Sequence, residues 1–286
     1  MLNEIVVISG KGGTGKTTLV AAMLAYLDSV VVADCDVDAP DLHILLHGEE
    51  IYKSEFSGLQ RPTIDKETCI SCGLCHEHCK FNAITEGIDL LRSKCEGCSL
   101  CAYICPTKSI TMQDAVVGTI YHRSIANGDF VYGRLIPGEE TSGKLVSAVR
   151  QKAKQLAHQK EIETMIIDGA PGIACNVIAS ITGASQVVIV TEPTVSGLHD
   201  LQRVYELVQR FRVKATVVVN KSDLSDEGLQ AIRNYCHEEG LLLALEIPFN
   251  RQIVESISAL KLPPEGAPEF YRTLHFEKFM QSIGAL

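Results

Sequence analysis

The chain has 286 residues, a formal net charge of −9, an apolar share of 46% and eleven cysteines. Length and apolarity are enough for one large domain or two and exclude a disordered chain. The acidic balance argues against a broad nucleic-acid-binding surface, which needs a basic stripe. Eleven cysteines behind an N-terminus, Met1-Leu2-Asn3-Glu4-Ile5, that lacks a leader pattern point to metal or redox chemistry in a cytoplasmic protein without a membrane anchor.

The first apolar run, Ile5-Val6-Val7-Ile8, reads as a buried strand, and Leu19, Met23, Leu24 and Leu27 recur at helical spacing. Between them lies Ser9-Gly10-Lys11-Gly12-Gly13-Thr14-Gly15-Lys16-Thr17-Thr18, which fits the pattern of glycine, four residues, glycine, lysine, then serine or threonine. Glycines let backbone amides approach an anion, and the helix N-terminus adds unpaired amides. Residues Gly10 to Thr18 are therefore the expected phosphate cradle, with Lys16 on the β and γ phosphates and Thr17 on Mg²⁺. Lys11 is not required by that pattern. With it, the loop resembles the deviant phosphate loop of the MinD, ParA, Mrp/Nbp35 and nitrogenase iron-protein superfamily. The resemblance implies an ATPase that forms a homodimer with nucleotide at the interface, Lys11 reaching the partner's nucleotide.

A second apolar strand, Val30-Val31-Val32-Ala33, ends in Asp34-Cys35-Asp36-Val37-Asp38, where carboxylates face the ligand crevice of a parallel sheet. By the same resemblance, Asp36 positions the attacking water and Asp34 lies near the metal shell. A solvated acidic turn is the plainer alternative. His43 and His47 are four apart, but no third ligand accompanies them, and they read as surface histidines.

From residue 61 to 113 the composition changes. Cys69, Cys72, Cys75 and Cys79 form C-x2-C-x2-C-x3-C, and Cys95, Cys98, Cys101 and Cys105 repeat it, followed by Pro106. This run resembles two-cluster bacterial ferredoxins, whose fourth cysteine ligates the other cluster. The resemblance implies one 4Fe-4S cluster on Cys69, Cys72, Cys75 and Cys105, and a second on Cys95, Cys98, Cys101 and Cys79. Zinc is the competing reading of paired C-x2-C steps, opposed by the two interleaved sets. Lys80 replaces the proline usual after the first run, while His76 and His78 read as exposed bystanders. Six basic and six acidic residues make this stretch neutral, so the net charge belongs to the remainder.

Beyond it, residues 116–121 and 130–136 read as a strand pair turning through Ala126-Asn127-Gly128-Asp129. Gly138-Glu139-Glu140-Thr141-Ser142-Gly143-Lys144-Leu145 copies the phosphate-loop spacing but ends in leucine, so Thr141 or Ser142 is read as the cap of a helix reaching about residue 159. A buried strand at 164–167 ends in Asp168-Gly169-Ala170-Pro171-Gly172. An acid there holds Mg²⁺ through water, and the resemblance places Gly172 near the γ phosphate. Cys175 stands at the spacing of a dimer-bridging cluster ligand in the nitrogenase iron protein, but with no second candidate it reads as small, buried and structural. Strand and helix then alternate; the resemblance makes Asn220 the adenine contact and Pro248, with Phe249 and Asn250, the other wall of the base pocket. The segment 270–283 has helical apolar spacing with its charges offset, and reads as a helix packed on the domain.

The expected fold is α/β: a doubly wound, mostly parallel sheet formed by residues 1–60 and 114–286, interrupted by an α+β ferredoxin-like insert at 61–113. The implied function couples ATP, Mg²⁺ and two 4Fe-4S clusters to electron transfer or metallocofactor assembly on a partner protein. A positioning ATPase of the ParA and MinD type, with structural or redox-sensing clusters, is the alternative. A cluster carrier of the Mrp/Nbp35 type stands third, since the C-terminal half has no separate C-x-x-C.

Overall fold

β-branched runs with no polar face can form strands only where both faces are covered. The computed structural model, which describes residues 2–139 and 142–286, buries four such runs at the centre of one sheet. Its strands are β1 (Asn3–Ser9), β2 (Val30–Asp34), β3 (Glu49–Ile64), β4 (Ile110–Ile125), β5 (Gly128–Leu135), β6 (Thr164–Pro171), β7 (Gln186–Thr191), β8 (Lys214–Asn220) and β9 (Leu242–Ile247). The order is β3-β4-β5-β2-β6-β1-β7-β8-β9. From β5 to β9 every neighbouring pair is parallel. Ile5, Val6, Val7 and Ile8 of β1 are 0% exposed, as are Val30, Val31, Val32 and Ala33 of β2. Register sets Asp34 of β2 opposite Asp168 of β6, with β1 on the other side of β6. Both carboxylates and the loop after β1 thus emerge at the carboxyl end of adjacent strands, where open α/β sheets bind ligands.

The chain divides into two compact units. The larger contains the chain up to Lys53, Ile120–Arg134 and Ser142–Leu286; the smaller contains Ser54–Thr119 and a short stretch beginning at Leu135. In the larger unit, helix Ser142–Gln159 buries Leu145, Val146, Val149, Ala153, Leu156 and Ala157, a stripe at three- and four-residue steps. Ser142 opens that helix, and Thr141, the other expected cap, lies outside the described residues. The C-terminal segment forms two helices, Pro268–Thr273 and Phe276–Ser282, broken at His275, whose φ is 52°. Phe276, Phe279, Met280, Ile283 and Tyr271 are buried in the main core, and Tyr26 packs against them half-buried. Among the described residues no helix is long and apolar enough to cross a membrane.

The strand pair expected at 116–121 and 130–136 is longer: β4 buries Ala115 and Val117 with Val116 exposed between them, then after a phase change at Gly118 buries Ile120 and His122. Its turn is made by Gly128, at φ 151°, where a Cβ would stand 1.9 Å from the Val30 carbonyl oxygen, so only glycine lets β5 start beside β2.

The smaller unit has short helices, Leu74–Glu77 and Leu100–Ile104, and an antiparallel bridge between Ile84 and Leu90. Cys75, Ile84, Ile88 and Ile110 form its buried core. The cysteine repeat is also a backbone repeat. Ser71 and Gly97, Gly73 and Ser99, and Asn82 and Lys108 occupy equivalent places in the two runs, and all six have φ between 50° and 80°.

Candidate functional site

The loop after β1 is shaped by two left-handed glycines, Gly13 at φ 79° and Gly15 at φ 90°, before helix Lys16–Leu24 begins. Contacts elsewhere require two of its glycines. A Cβ on Gly15 would come 2.2 Å from Asn220 Nδ2, and one on Gly10 2.4 Å from Asp200 Cβ. Asn220 donates to the Thr14 carbonyl oxygen at 2.8 Å, so the expected base contact also braces the loop. Among the described residues the buried Thr14 hydroxyl has no hydrogen-bond partner, a donor left over inside the loop.

Three carboxylates converge on the loop lysine. Lys16 Nζ stands 3.0 Å from Asp168 Oδ1 and 3.7 Å from Asp36 Oδ2. Burial works to discharge Lys16, but Asp168, Asp36 and Asp34 outweigh it and hold the ammonium above its usual range. The Thr17 hydroxyl donates to Asp168 Oδ2 at 2.7 Å. Its proton is thereby turned away, leaving oxygen lone pairs for a cation. Burial pushes the Asp36 carboxyl up to about 6, against the pull of Lys16, and Asp168, Asp38 and Asp41 push the same way.

Asp34 is placed differently from the expectation. It is 0% exposed, and its oxygens accept from the backbone amides of Asp36 at 3.0 Å and Leu42 at 3.3 Å. Burial first, then Asp168, raises its pKa well above the carboxylate range. It therefore holds the loop bearing Asp36 from behind rather than facing the cleft. Gly172, at φ 94°, spends its amide on the Ser9 carbonyl oxygen at 2.8 Å, and its neighbour Pro171 lines the cleft instead.

Two adjoining cavities result. One, of about 1200 Å³, is lined by Ser9, Gly12 to Thr18, Asp36, Asp38, Asp41, Pro171 and Asn176. The other, of about 730 Å³, shares Gly13, Gly15 and Thr18 with it and is walled by Asn220, Lys221, Ile247, Pro248, Phe249, Ile253 and Tyr271. A polar cavity over the loop and an apolar one beside it suit the phosphate and base ends of a nucleotide. Asp223 accepts from the Phe249 amide at 2.7 Å, fixing the base-side wall.

Lys11 Nζ lies 3.3 Å from Glu192 Oε2 and donates to Ser196 Oγ at 3.3 Å. Glu192 is 7% exposed and also pairs with Lys221, which reaches toward the Gly13 carbonyl oxygen at 3.5 Å. Sequence reading missed Glu192, because its only local signal is an acid directly after a buried strand. Asn176, inside the short helix after β6, and Asp41, seven residues past β2, escaped it because neither belongs to a local motif.

In the smaller unit the thiols gather in two pockets. One, of about 310 Å³, is lined by Cys69, Cys72, Cys75 and Cys105 with Ile70, Leu74, Ile88, Pro106 and Ile110. The other, of about 390 Å³, is lined by Cys79, Cys95, Cys98 and Cys101 together with Cys75, Pro62, Phe81 and Leu100. The first pocket thus collects three cysteines of one run and the fourth of the other; the second collects the complementary four, with Cys75 lining both. Among the described residues no three ligand side chains converge as for a single ion; thiolates gripping the corners of a cube stand farther apart. Alternating left-handed residues in both runs make concave nests of amides, which suit an anionic iron–sulfur core. Four thiols, a small apolar pocket and amide nests fit such a cluster. His76 and His78 bond through Nδ1 to the carbonyl oxygens of Ile84 at 2.7 Å and Leu74 at 3.0 Å.

Two further expectations are corrected. Cys175 is exposed, not buried, because it opens helix Cys175–Ile181 at its outer end, against the backbone of Gly143. Of the two histidines read as surface residues, His47 is exposed but His43 is half-buried. Only His43 lies in helix Leu42–Leu45, stacked on Tyr132 and bonded to Arg134 at 3.1 Å.

Residues 5–263 match the model of the CobQ/CobB/MinD/ParA nucleotide binding domain. An uncharacterised protein of Methanocaldococcus jannaschii is 29% identical over 255 residues, covering 88% of this chain and 87% of that protein. A 66-residue stretch, 22% of this chain, is 35% identical to pyruvate synthase subunit PorD of Thermotoga maritima and covers 67% of it. Among solved structures, the septum site-determining protein MinD of Pyrococcus horikoshii, complexed with Mg-ADP, superposes with a TM-score of 0.62 at 16% identity, over 99% of this chain and 96% of that one. The last likeness is one of fold.

Proposed function

The chain belongs to the CobQ/CobB/MinD/ParA nucleotide-binding family, and from that premise we propose that it is an Mg²⁺-dependent ATPase whose nucleotide-driven homodimerisation governs electron transfer, or cofactor assembly, by two 4Fe-4S clusters toward a partner protein. In this reading the loop residues Gly10, Gly12, Gly13, Thr14, Gly15 and Thr18 wrap the phosphates with backbone amides. Lys16 neutralises the β and γ phosphates. Thr17 and Asp168 hold Mg²⁺, Asp168 through water, while Asp34 fixes the loop from which Asp36 orients the attacking water. Lys11 leaves Glu192 and reaches the partner's nucleotide, Gly172 approaches the γ phosphate as the loop after β6 closes, and Asn220 and Pro248 hold the adenine. The catalytic trio is Lys11, Lys16 and Asp36. Clustering of negative oxygens in the transition state is what fixed cations in a water-poor cleft stabilise best.

A 4Fe-4S cluster supplies a one-electron store. The residues assigned to the first are Cys69, Cys72, Cys75 and Cys105, and to the second Cys95, Cys98, Cys101 and Cys79, within a ferredoxin-like insert at about 61–113. The observation carrying this assignment is that the fourth cysteine of each run, Cys79 or Cys105, lines the pocket that holds the other run's first three, while Cys75 lines both pockets. The 66-residue likeness to a pyruvate synthase subunit supports it.

Anaerobic reconstitution with iron and sulfide is the test. The wild type should take up two full clusters, and Cys79→Ala and Cys105→Ala should each lose a different one. Loss of the same cluster in both variants would refute the interleaving, and zinc uptake in place of iron would refute the cluster reading. A positioning ATPase of the ParA and MinD type, with clusters as structural or redox-sensing parts, becomes the better account if nucleotide state leaves the clusters untouched.

A further inference from the structure

Arg61 lies on β3 in the smaller unit, only 6% exposed, between Gln60 and Pro62. Glu139 holds both its terminal nitrogens, Nη1 to Oε1 at 2.8 Å and Nη2 to Oε2 at 2.6 Å. The remaining donor, Nε–H, is buried and has no partner among the described residues. A leftover buried donor on a charged group is costly unless something outside the described residues accepts it.

Arg61 lines neither cysteine pocket itself, but its strand neighbours border the second one. The second cysteine run lies against this part of β3: a Cβ on Gly97 would come 2.5 Å from the Gln60 carbonyl oxygen. Pro62, the next residue after Arg61, lines the same pocket as Cys95 and Gly97. Glu139's hydrogen bonds, against the pull of burial, and then the charges of Glu139, Cys95 and Glu96 hold the guanidinium above its usual range. The other pocket differs, since no residue lining it carries a formal charge apart from its own thiolates.

We propose that Arg61, positioned by Glu139, raises the reduction potential of the cluster held by Cys79, Cys95, Cys98 and Cys101, so that the two clusters are unequal and this one receives the electron first. The inference rests on the cluster assignment above. When a reductant such as dithionite donates one electron, one negative charge is added in that pocket and the thiolate bonds remain in place. A buried cation beside it favours the reduced form through a low-dielectric medium, and net charge and hydrogen bonds to sulfur are what set such potentials. Glu96, which lines the same pocket, opposes this with its carboxylate, and Arg61 offsets it. Buried ion pairs are weak stabilisers of folding, so electrostatic tuning gives this one a role that packing does not.

The experiment is a redox titration of the reconstituted full chain by electron paramagnetic resonance, with iron and sulfide measured on each variant. Cys98→Ser assigns the signals by altering only one of them. Arg61→Gln should lower the midpoint of the assigned signal, and Glu139→Gln, which leaves the cation uncompensated, should raise it. Each change should be about tenfold in the reduced-to-oxidised ratio at fixed potential, or about 59 mV for one electron. Arg61→Lys should shift it less than Arg61→Gln, and the other cluster should not move. A merely structural pair would give shifts of one sign or none, and either result overturns the claim. If Arg61→Gln loses its clusters, Glu139→Gln decides alone: an upward shift supports the claim, and any other result ends it. A wild type that takes up no cluster would instead end the underlying assignment.

Discussion

In the nucleotide cleft, both loop cations have acidic partners before any ligand arrives: Lys16 sits among Asp168, Asp36 and Asp34, and Lys11 rests on Glu192. In the cysteine unit the site is made of thiols instead. Eight of them surround two pockets over a core of Cys75, Ile84, Ile88 and Ile110. The cleft is built on a sheet whose central strands are wholly buried, and can hold its shape empty. The small unit's own buried cluster is only these four side chains, so under the proposed assignment cluster binding there would be coupled to folding.

The largest expected effect breaks that contrast directly. Removing iron by chelation should unfold the smaller unit, seen as fast hydrogen exchange confined to about 54–119, while ATP binding persists. Slow exchange throughout the iron-free unit would mean its core suffices alone. Next comes Lys16→Ala, which removes the phosphate contact and leaves three carboxylates uncompensated. MgATP should no longer raise its melting temperature, an effect worth about 2.7 kcal/mol in the wild type at a hundredfold excess over Kd. A third effect separates binding from turnover. Lys11→Ala should bind ATP normally yet lose hydrolysis that rises with protein concentration, and undiminished turnover would contradict the sandwich dimer.

Glu192→Gln sharpens the comparison further, since it loosens the internal partner of Lys11. Dimerisation should set in at several-fold lower protein concentration, read by sedimentation with a hydrolysis-blocked nucleotide. Asn220→Ala should be the mildest change. Losing a base contact and the brace on Thr14 should weaken ATP binding by about 1–2 kcal/mol, measured by calorimetry.

What the sequence revealed follows the reach of each signal. The phosphate loop and the cysteine runs were legible because their chemistry lies in consecutive residues at fixed spacing, and the parallel sheet because its buried runs have no polar face. The partner of Lys11 was not, since Glu192 follows β7, far along the chain, and only tertiary packing brings it to the loop. Asp34 was read as facing the cleft because a strand-end acid usually does; its oxygens are instead taken by the amides of Asp36 and Leu42. The exposure of Cys175 depends on which end of its helix faces outward, which spacing does not encode. Arg61 gave no sign either, because its partner Glu139 stands on a different segment.

The measurement that bears most directly on coupling is the electron paramagnetic resonance spectrum of the dithionite-reduced protein, recorded nucleotide-free, with MgADP and with MgATP. The account predicts that MgATP alone changes the line shape or midpoint of at least one cluster, and that Lys11→Ala abolishes the change while still binding nucleotide. Identical spectra and midpoints in all three states would contradict it.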